Sequence, residues 1–266
     1  VEGLPLGIEL AASWVRYMAP VEIAQEIEKD IDFLATNVRN LPPRHRSLRA
    51  VFDHSWRLLS PPEQEALPPL ALFRGGFRLA EAQAVTGAAR PLLTGFVDKS
   101  LVSVSAVGRY DLHERLRQYL LEKLRQDLDL YQTACDRHSQ VYLALLQFDH
   151  AALIRDKSLQ RLTADFDNIR VAWHWALEHN NWTAIRRSRR GLHEFCVNKS
   201  WFLELNALYE QAISTLKGRL AQLEAQPEAE IEPEILLLLA ALHCYHGEMQ
   251  ARLGIHDPTR QAVLDE

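Results

Sequence analysis

The spacing of apolar residues changes once along this chain, and that change limits the folds it can reach. Leu101-Val102-Ser103-Val104 alternates as a short strand, Ala106-Val107-Gly108 supplies a turn, and Arg109-Tyr110-Asp111-Leu112 reads as the return strand. On both sides the apolar residues recur three and four apart, the spacing of one helical face. A single hairpin set among helices cannot build a sheet-based core. The expected fold is therefore mainly α: a winged-helix domain with one small β-hairpin, followed by a TPR-like α-helical array.

Leu6, Leu10, Trp14 and Met18 form one stripe, and Ile23, Ile27, Ile31 and Leu34 a second, opened by Pro20 in a first turn. Leu41-Pro42-Pro43 breaks the pattern and marks a linker. Ser60-Pro61-Pro62-Glu63 has the composition of a helix start, with a serine cap, first-turn prolines and an acid at the positive helix end. That helix is expected to run into Leu72-Phe73 and to stop at Gly75-Gly76. Shorter helices are expected from Leu79 to Val85, ending at Gly87, and from Pro91 to Lys99. A long one follows the hairpin, with Leu112, Leu116, Tyr119, Leu120 and Leu124 on one side. Asp111 and Glu114 stand three apart, a capping-box spacing that puts His113 in the first helical turn.

Beyond residue 130 only helix is expected, with Tyr142, Leu145 and Leu146, then Ile169, Ala172, Trp173 and Ala176, then Trp201, Leu205, Leu208 and Tyr209 on successive faces. Gln226 to Pro233 reads as a polar connection. The last stretch reads as one TPR-like unit, Ile235–Tyr245 paired with Arg260–Leu264 across Gly247 and Gly254, although no regular 34-residue period precedes it.

Composition excludes several classes of function. Thirty Lys+Arg against 35 Asp+Glu give a formal charge of -5, which weighs against a dedicated nucleic-acid binder. Cys135, Cys196 and Cys244 are scattered, with no C-x-x-C pair, so buried free thiols in a reducing cytosol are expected rather than disulfides or zinc. The longest apolar run, Ile235 to Leu242, is too short for a bilayer, so a cytoplasmic protein with no membrane partner is expected. His243, Cys244 and His246 lack i,i+4 ligand spacing and a carboxylate, so no metal site is expected. No Ser/His/Asp or paired-carboxylate constellation stands out, and no catalytic residue is assigned. Arg44, His45, Arg46 and Arg49 could meet phosphates or form a solvated face, and Arg186-Arg187-x-Arg189-Arg190 reads as a salt-bridged helical surface. Trp173, Trp175, Trp182 and Trp201 are expected to pack between helices. Asn181-Trp182-Thr183 and Asn198-Lys199-Ser200 match the glycosylation acceptor by chance.

Val1-Glu2-Gly3-Leu4-Pro5-Leu6-Gly7-Ile8-Glu9-Leu10-Ala11-Ala12 resembles the GLPLA segment of STAND signalling ATPases. The resemblance continues in order through Leu41–Ala50, Ser55-Trp56 with Leu58-Leu59, Phe73-Arg74-Gly75-Gly76-Phe77 and Val97–Val102. It ends with Arg109–Tyr119, where that family carries its MHD motif. All of it lies within residues 1–125, and the remainder is similar only to the general bacterial TPR-like arm. The resemblance implies residues 1–40 as the end of the helical domain of a nucleotide-binding module, 41–130 as a winged helix and 131–266 as a TPR-like sensor or interaction domain.

The same resemblance implies ADP in a closed resting state, ATP on activation, and an oligomer on activation. Pro5 would pack against adenine; the alternative is that it only starts a helix. His113 would donate an imidazole N–H to the β-phosphate of ADP, and the alternative is a solvent-facing histidine behind a cap. Leu112 stands where the motif has methionine and Glu114 where it has aspartate. The G-x-x-x-x-G-K-[ST] phosphate loop is absent from these residues, so the chain alone is not expected to be an enzyme, and its P-loop domain is expected upstream in the same parent chain. A protein or small-molecule signal would act on the helical arm. A winged-helix DNA-binding transcription regulator and a plain interaction scaffold are the alternatives. For DNA, the Pro91–Lys99 helix offers only Lys99, so DNA is not an expected partner.

Overall fold

The computed structural model describes residues 8, 11–12, 14–15, 17–29, 33, 47–148, 156–225 and 233–254, and places them in two compact units, Val1–His138 and Ser139–Glu266. The boundary falls inside a helix. In chain order the first unit holds α1 (Pro20–Lys29), α2 (Leu48–Arg57), α3 (Pro61–Ala66), a 3₁₀ turn (Pro68–Leu72), α4 (Leu79–Thr86) and α5 (Arg90–Asp98). Strands β1 (Ser103–Val104) and β2 (Tyr110–Asp111) follow, then α6 (Glu114–Gln126) and the start of α7 (Leu128–Ala144).

The hairpin is as anticipated but shorter, pairing Ser103 with Asp111 and Val104 with Tyr110. A third strand position escaped the periodicity. Phe77 exchanges two backbone hydrogen bonds with Tyr110, each 2.8 Å, so the sheet order is Phe77, β2, β1. Helices, a one-residue strand, two more helices and a wing make this a winged-helix arrangement. The Gly75-Gly76 pair makes the extra strand possible. Both glycines have positive φ, and a Cβ on Gly76 would press on Tyr110 O at 2.8 Å.

The helix opened by Ser60 does not run unbroken to Phe73. It stops at Ala66, because Pro68 and Pro69 cannot donate to the preceding turn, and continues as the 3₁₀ segment. That segment is entirely buried, with Leu70 and Ala71 at 0% exposure, and Phe73 just after it is buried as fully. It packs along α6, whose Leu116, Tyr119, Leu120 and Leu124 are the buried stripe read from the sequence. The start of α3 is as expected: Ser60 N–H donates to Glu63 Oε2 at 2.9 Å. Lys99 Nζ also reaches Glu63, at 2.6 Å, and together these contacts hold its carboxyl below the usual range.

The second unit comprises the rest of α7, then α8 (Asp156–Ala164), α9 (Phe166–Glu178), α10 (Trp182–Asn198), α11 (Phe202–Glu224) and α12 (Pro233–Leu253). α9 and α10 form one helical hairpin and α11 and α12 another. Phe166 and Phe202 open corresponding helices 36 positions apart, close to a TPR period. The expected turn at Gly247 is absent: α12 continues through it to Leu253, with Gly247 buried in the helix. Arg260–Leu264 lie outside the described residues.

Two tight junctions repeat the same chemistry. Asn180 and Ser200 occupy the left-handed region, with φ of 54° and 59°. In each case the next N–H reaches back five residues, Asn181 to Ala176 O at 2.8 Å and Trp201 to Cys196 O at 2.9 Å, which closes a Schellman turn. Trp201 then lies 4.8 Å from Phe166 and 5.5 Å from Phe195, ring to ring. Trp173 and Trp182 are buried, as packing residues should be. Burial raises Cys135 and Cys196 to about 12, so both are unreactive thiols, whereas Cys244 is exposed, against expectation. No helix among the described residues is long and apolar enough to cross a membrane.

Candidate functional site

The residues singled out for nucleotide contact divide sharply. Pro5 lies outside the described residues, as do Arg44, His45 and Arg46. His113 is described, and it stands directly behind the wing.

The structure corrects the local reading of this position. Asp111 is not the helix cap. His113 itself is the N-cap of α6, with Nδ1 accepting from the Arg115 N–H at 3.2 Å. An accepting Nδ1 puts the proton of the neutral ring on Nε2, the atom that would donate to a phosphate. Nε2 is buried within the unit, so a ligand oxygen reaches it only if its cover moves. Asp111 instead accepts from the Leu112 N–H and from Arg117 Nη2, both at 2.8 Å.

Two arginines that the sequence reading passed over hold this corner. Arg117, 4% exposed, donates to Phe73 O, to Leu112 O at 3.1 Å and to Glu114 Oε2 at 2.9 Å, besides Asp111. One guanidinium thus ties the end of the 3₁₀ turn, the second strand and the first turn of α6 together. Arg115 donates to Ile27 O near the end of α1, and to Gln118 Oε1 at 2.9 Å. That arrangement sets a cation on the negative end of a helix. Arg109 closes the opposite side through Gly75 O and Gly76 O, each at 3.0 Å. Nothing in the local sequence signals this, since the partners of Arg115 and Arg117 lie 88 and 44 residues away.

The face that would meet DNA is poor in free cations. Arg90, Thr94, Asp98 and Lys99 are exposed on or beside α5, and Lys99 is engaged by Glu63. Arg49, from the expected basic cluster, makes a bidentate pair with Glu122 at 2.8 and 3.2 Å. In the second unit Arg186 pairs with Glu234 at 2.7 Å and Arg190 with Glu194 at 2.8 Å, the salt-bridged surface expected there. Among the described residues no three His, Cys, Asp or Glu side chains are grouped to hold a metal ion.

A second polar cluster lies where α10, α11 and α12 meet. His193 Nδ1 is 3.2 Å from the Tyr209 hydroxyl, and its Nε2 is 3.4 Å from Glu248 Oε2. The Tyr245 ring lies 4.5 Å from the His193 ring, tilted by 38°. Burial pushes His193 below its ordinary pKa, against the pull of Glu248, with Arg252 adding to the depression.

No family model matches the chain. Among curated proteins it is similar to a Mycobacterium tuberculosis protein named as an HTH-type transcriptional regulator, 35% identical over 239 residues and covering 81% of this chain but 27% of that one. A protein of the same organism with no function in its name is 38% identical over 138 residues, 47% of this chain and 35% of the other. The chain therefore spans about a quarter to a third of the length of the curated relatives it matches. Among solved structures, a STAND protein with a tetratricopeptide repeat sensor from Pyrococcus horikoshii aligns over 93% of this chain and 38% of its own. That alignment has 15% identity and a TM-score of 0.33.

Proposed function

We propose that this chain is the regulatory C-terminal part of a nucleotide-switched signalling ATPase of the STAND class. Its winged helix closes over ADP, and its helical unit receives a protein or small-molecule signal. The observation that carries the reading is the placement of the resembling motifs in one folded unit. Phe73–Phe77 forms the extra strand, Val97–Val102 leads into the wing, and His113 caps the helix behind it. A helix N-terminus with an imidazole N–H donor is chemistry suited to a phosphate. Within these 266 residues there is no P-loop motif, so the chain alone hydrolyses nothing and binds nucleotide feebly.

The test uses the intact parent protein. Losing one hydrogen bond to a charged acceptor, worth about 1.5–3 kcal/mol, weakens ADP roughly tenfold to a hundredfold in His113→Ala. ATP suffers less, and signalling output rises without inducer. Because His113 also caps α6, His113→Asn serves as a control that keeps a capping acceptor while withdrawing the imidazole donor. ADP affinity unchanged in both variants would sink the phosphate role.

A second reading is a DNA-binding transcription regulator, favoured by the names of the mycobacterial relatives. Its difficulty is the exposed face of α5, where Asp98 offsets Arg90 and Glu63 holds Lys99. A nanomolar gel shift that survives competitor DNA at physiological salt would promote it above the first reading.

A further inference from the structure

The two longest helices, α11 and α12, leave a groove of about 410 Å³ along one side, lined by Glu210, Ser214, Lys217, His243, His246 and Gln250 over a floor of Ile213 and Gly247. The lining follows helical spacing on both sides. Residues 210, 214 and 217 share one face of α11, and 243, 246, 247 and 250 share one face of α12. An apolar floor with a few converging polar groups is the usual composition of a small-molecule site, and this volume lies within the usual range.

The polar groups are of two kinds. Glu210 is already answered: Asn206 Nδ2 donates to it at 2.9 Å, and His246 Nε2 lies 3.6 Å away. Lys217, Ser214 and Gln250 are different, for they make no side-chain hydrogen bond or ion pair among the described residues. Arg170, Arg186, Arg190 and Arg252 in the same unit each have a carboxylate partner, whereas Lys217, which lines the groove, has none among the described residues. His246 Nε2 is buried and has no hydrogen-bond partner within 3.5 Å. An unanswered cation, a hydroxyl and an amide thus line a groove whose one carboxylate is already satisfied. Such a set of donors is complementary to negative charge.

We propose that this groove binds a small organic anion carrying a carboxylate or a phosphate, with Lys217 as its charge partner and Ser214 and Gln250 as hydrogen-bond donors. The proposal deepens, and rests on, the reading of the helical unit as a signal receiver by naming the class of signal. It does not depend on the nucleotide switch.

The experiment is an amide NMR titration of the 266-residue chain at constant ionic strength, with phosphate in one arm, citrate in a second and chloride as the control. The expected result is saturable shifts centred on Lys217, His243, His246 and Gln250 with phosphate or with citrate, and none with chloride. Whichever arm saturates identifies the headgroup. Lys217→Ala, an exposed change that leaves the packing intact, should weaken binding about tenfold or more, and Glu210→Gln should strengthen it. Shifts that grow linearly, that chloride reproduces, or that survive Lys217→Ala unchanged would overturn the proposal. None of those outcomes bears on ADP binding by the parent, so the two readings fail separately.

Discussion

The two units of this chain are held together in opposite ways. In the first, charged side chains reach across long stretches of sequence to backbone oxygens: Arg117 to Phe73, Arg115 to Ile27, and Arg109 to Gly75 and Gly76. In the second, order is mostly local. From α8 to α11 each helix is followed by the next within a few residues, and aromatic rings such as Phe166, Phe195 and Trp201 fill the space between. Stacked helical hairpins of this kind contact chiefly their neighbours, so each junction can be described by itself. The winged-helix unit has a short sheet, and polar hubs fix the loops that its strands cannot. That construction suits a switch, because a few directional bonds made or broken reposition a corner. It also makes the unit vulnerable at single residues.

The largest expected effect tests that vulnerability. Arg117→Ala leaves Phe73 O and Leu112 O without their buried donor, and at about 1–3 kcal/mol per orphaned group it should cost several kcal/mol. Amide exchange should quicken throughout residues 47–138 while that of 156–253 stays as in wild type. Faster exchange in both stretches would break the division into two differently built units.

The next effect belongs to the second unit and to pH. His193 has a folded pKa below its ordinary value because burial disfavours the imidazolium. The unfolded chain therefore takes up this proton first. The stabilisation is complete above about pH 6.5 and is lost as pH falls from there toward the folded pKa. Thermal melts between pH 7.5 and 5 should show an acid-side loss that shrinks in His193→Gln. An identical loss in the variant would assign the acid sensitivity to other groups, His174 first among them, since burial depresses it too.

The smallest effect sharpens the claim that helical junctions act locally. Ser200 holds a left-handed φ of 59° without being glycine. Ser200→Gly removes that strain at some cost in chain entropy and should stabilise by a few tenths to about 1 kcal/mol. Destabilisation in a denaturant melt would show that the serine side chain contributes more than its backbone conformation suggests.

What the sequence determined by itself was periodicity and local chemistry. The helical stripes of α1, α6, α9 and α11, the hairpin, the capped start at Ser60 and the stop at Gly87 were all legible, because each depends on residues within a turn or two of one another. The 3₁₀ break was legible in principle, since Pro68 and Pro69 announce it, but the apolar run through Leu72 masked the signal. Other features depended on partners far along the chain. Phe77 became a strand only because Tyr110 lies beside it, and a single residue has no period to detect. The roles of Arg115 and Arg117 were not legible, because spacing cannot show that the carbonyls of Ile27 and Phe73 await them. His113 was found by its motif, yet its role as the cap depends on the backbone angles at the end of the wing, with φ −58° and ψ 134°. Local propensity names the elements; only tertiary structure decides which distant carbonyl a buried cation must satisfy, because that requirement arises when folding removes both from water.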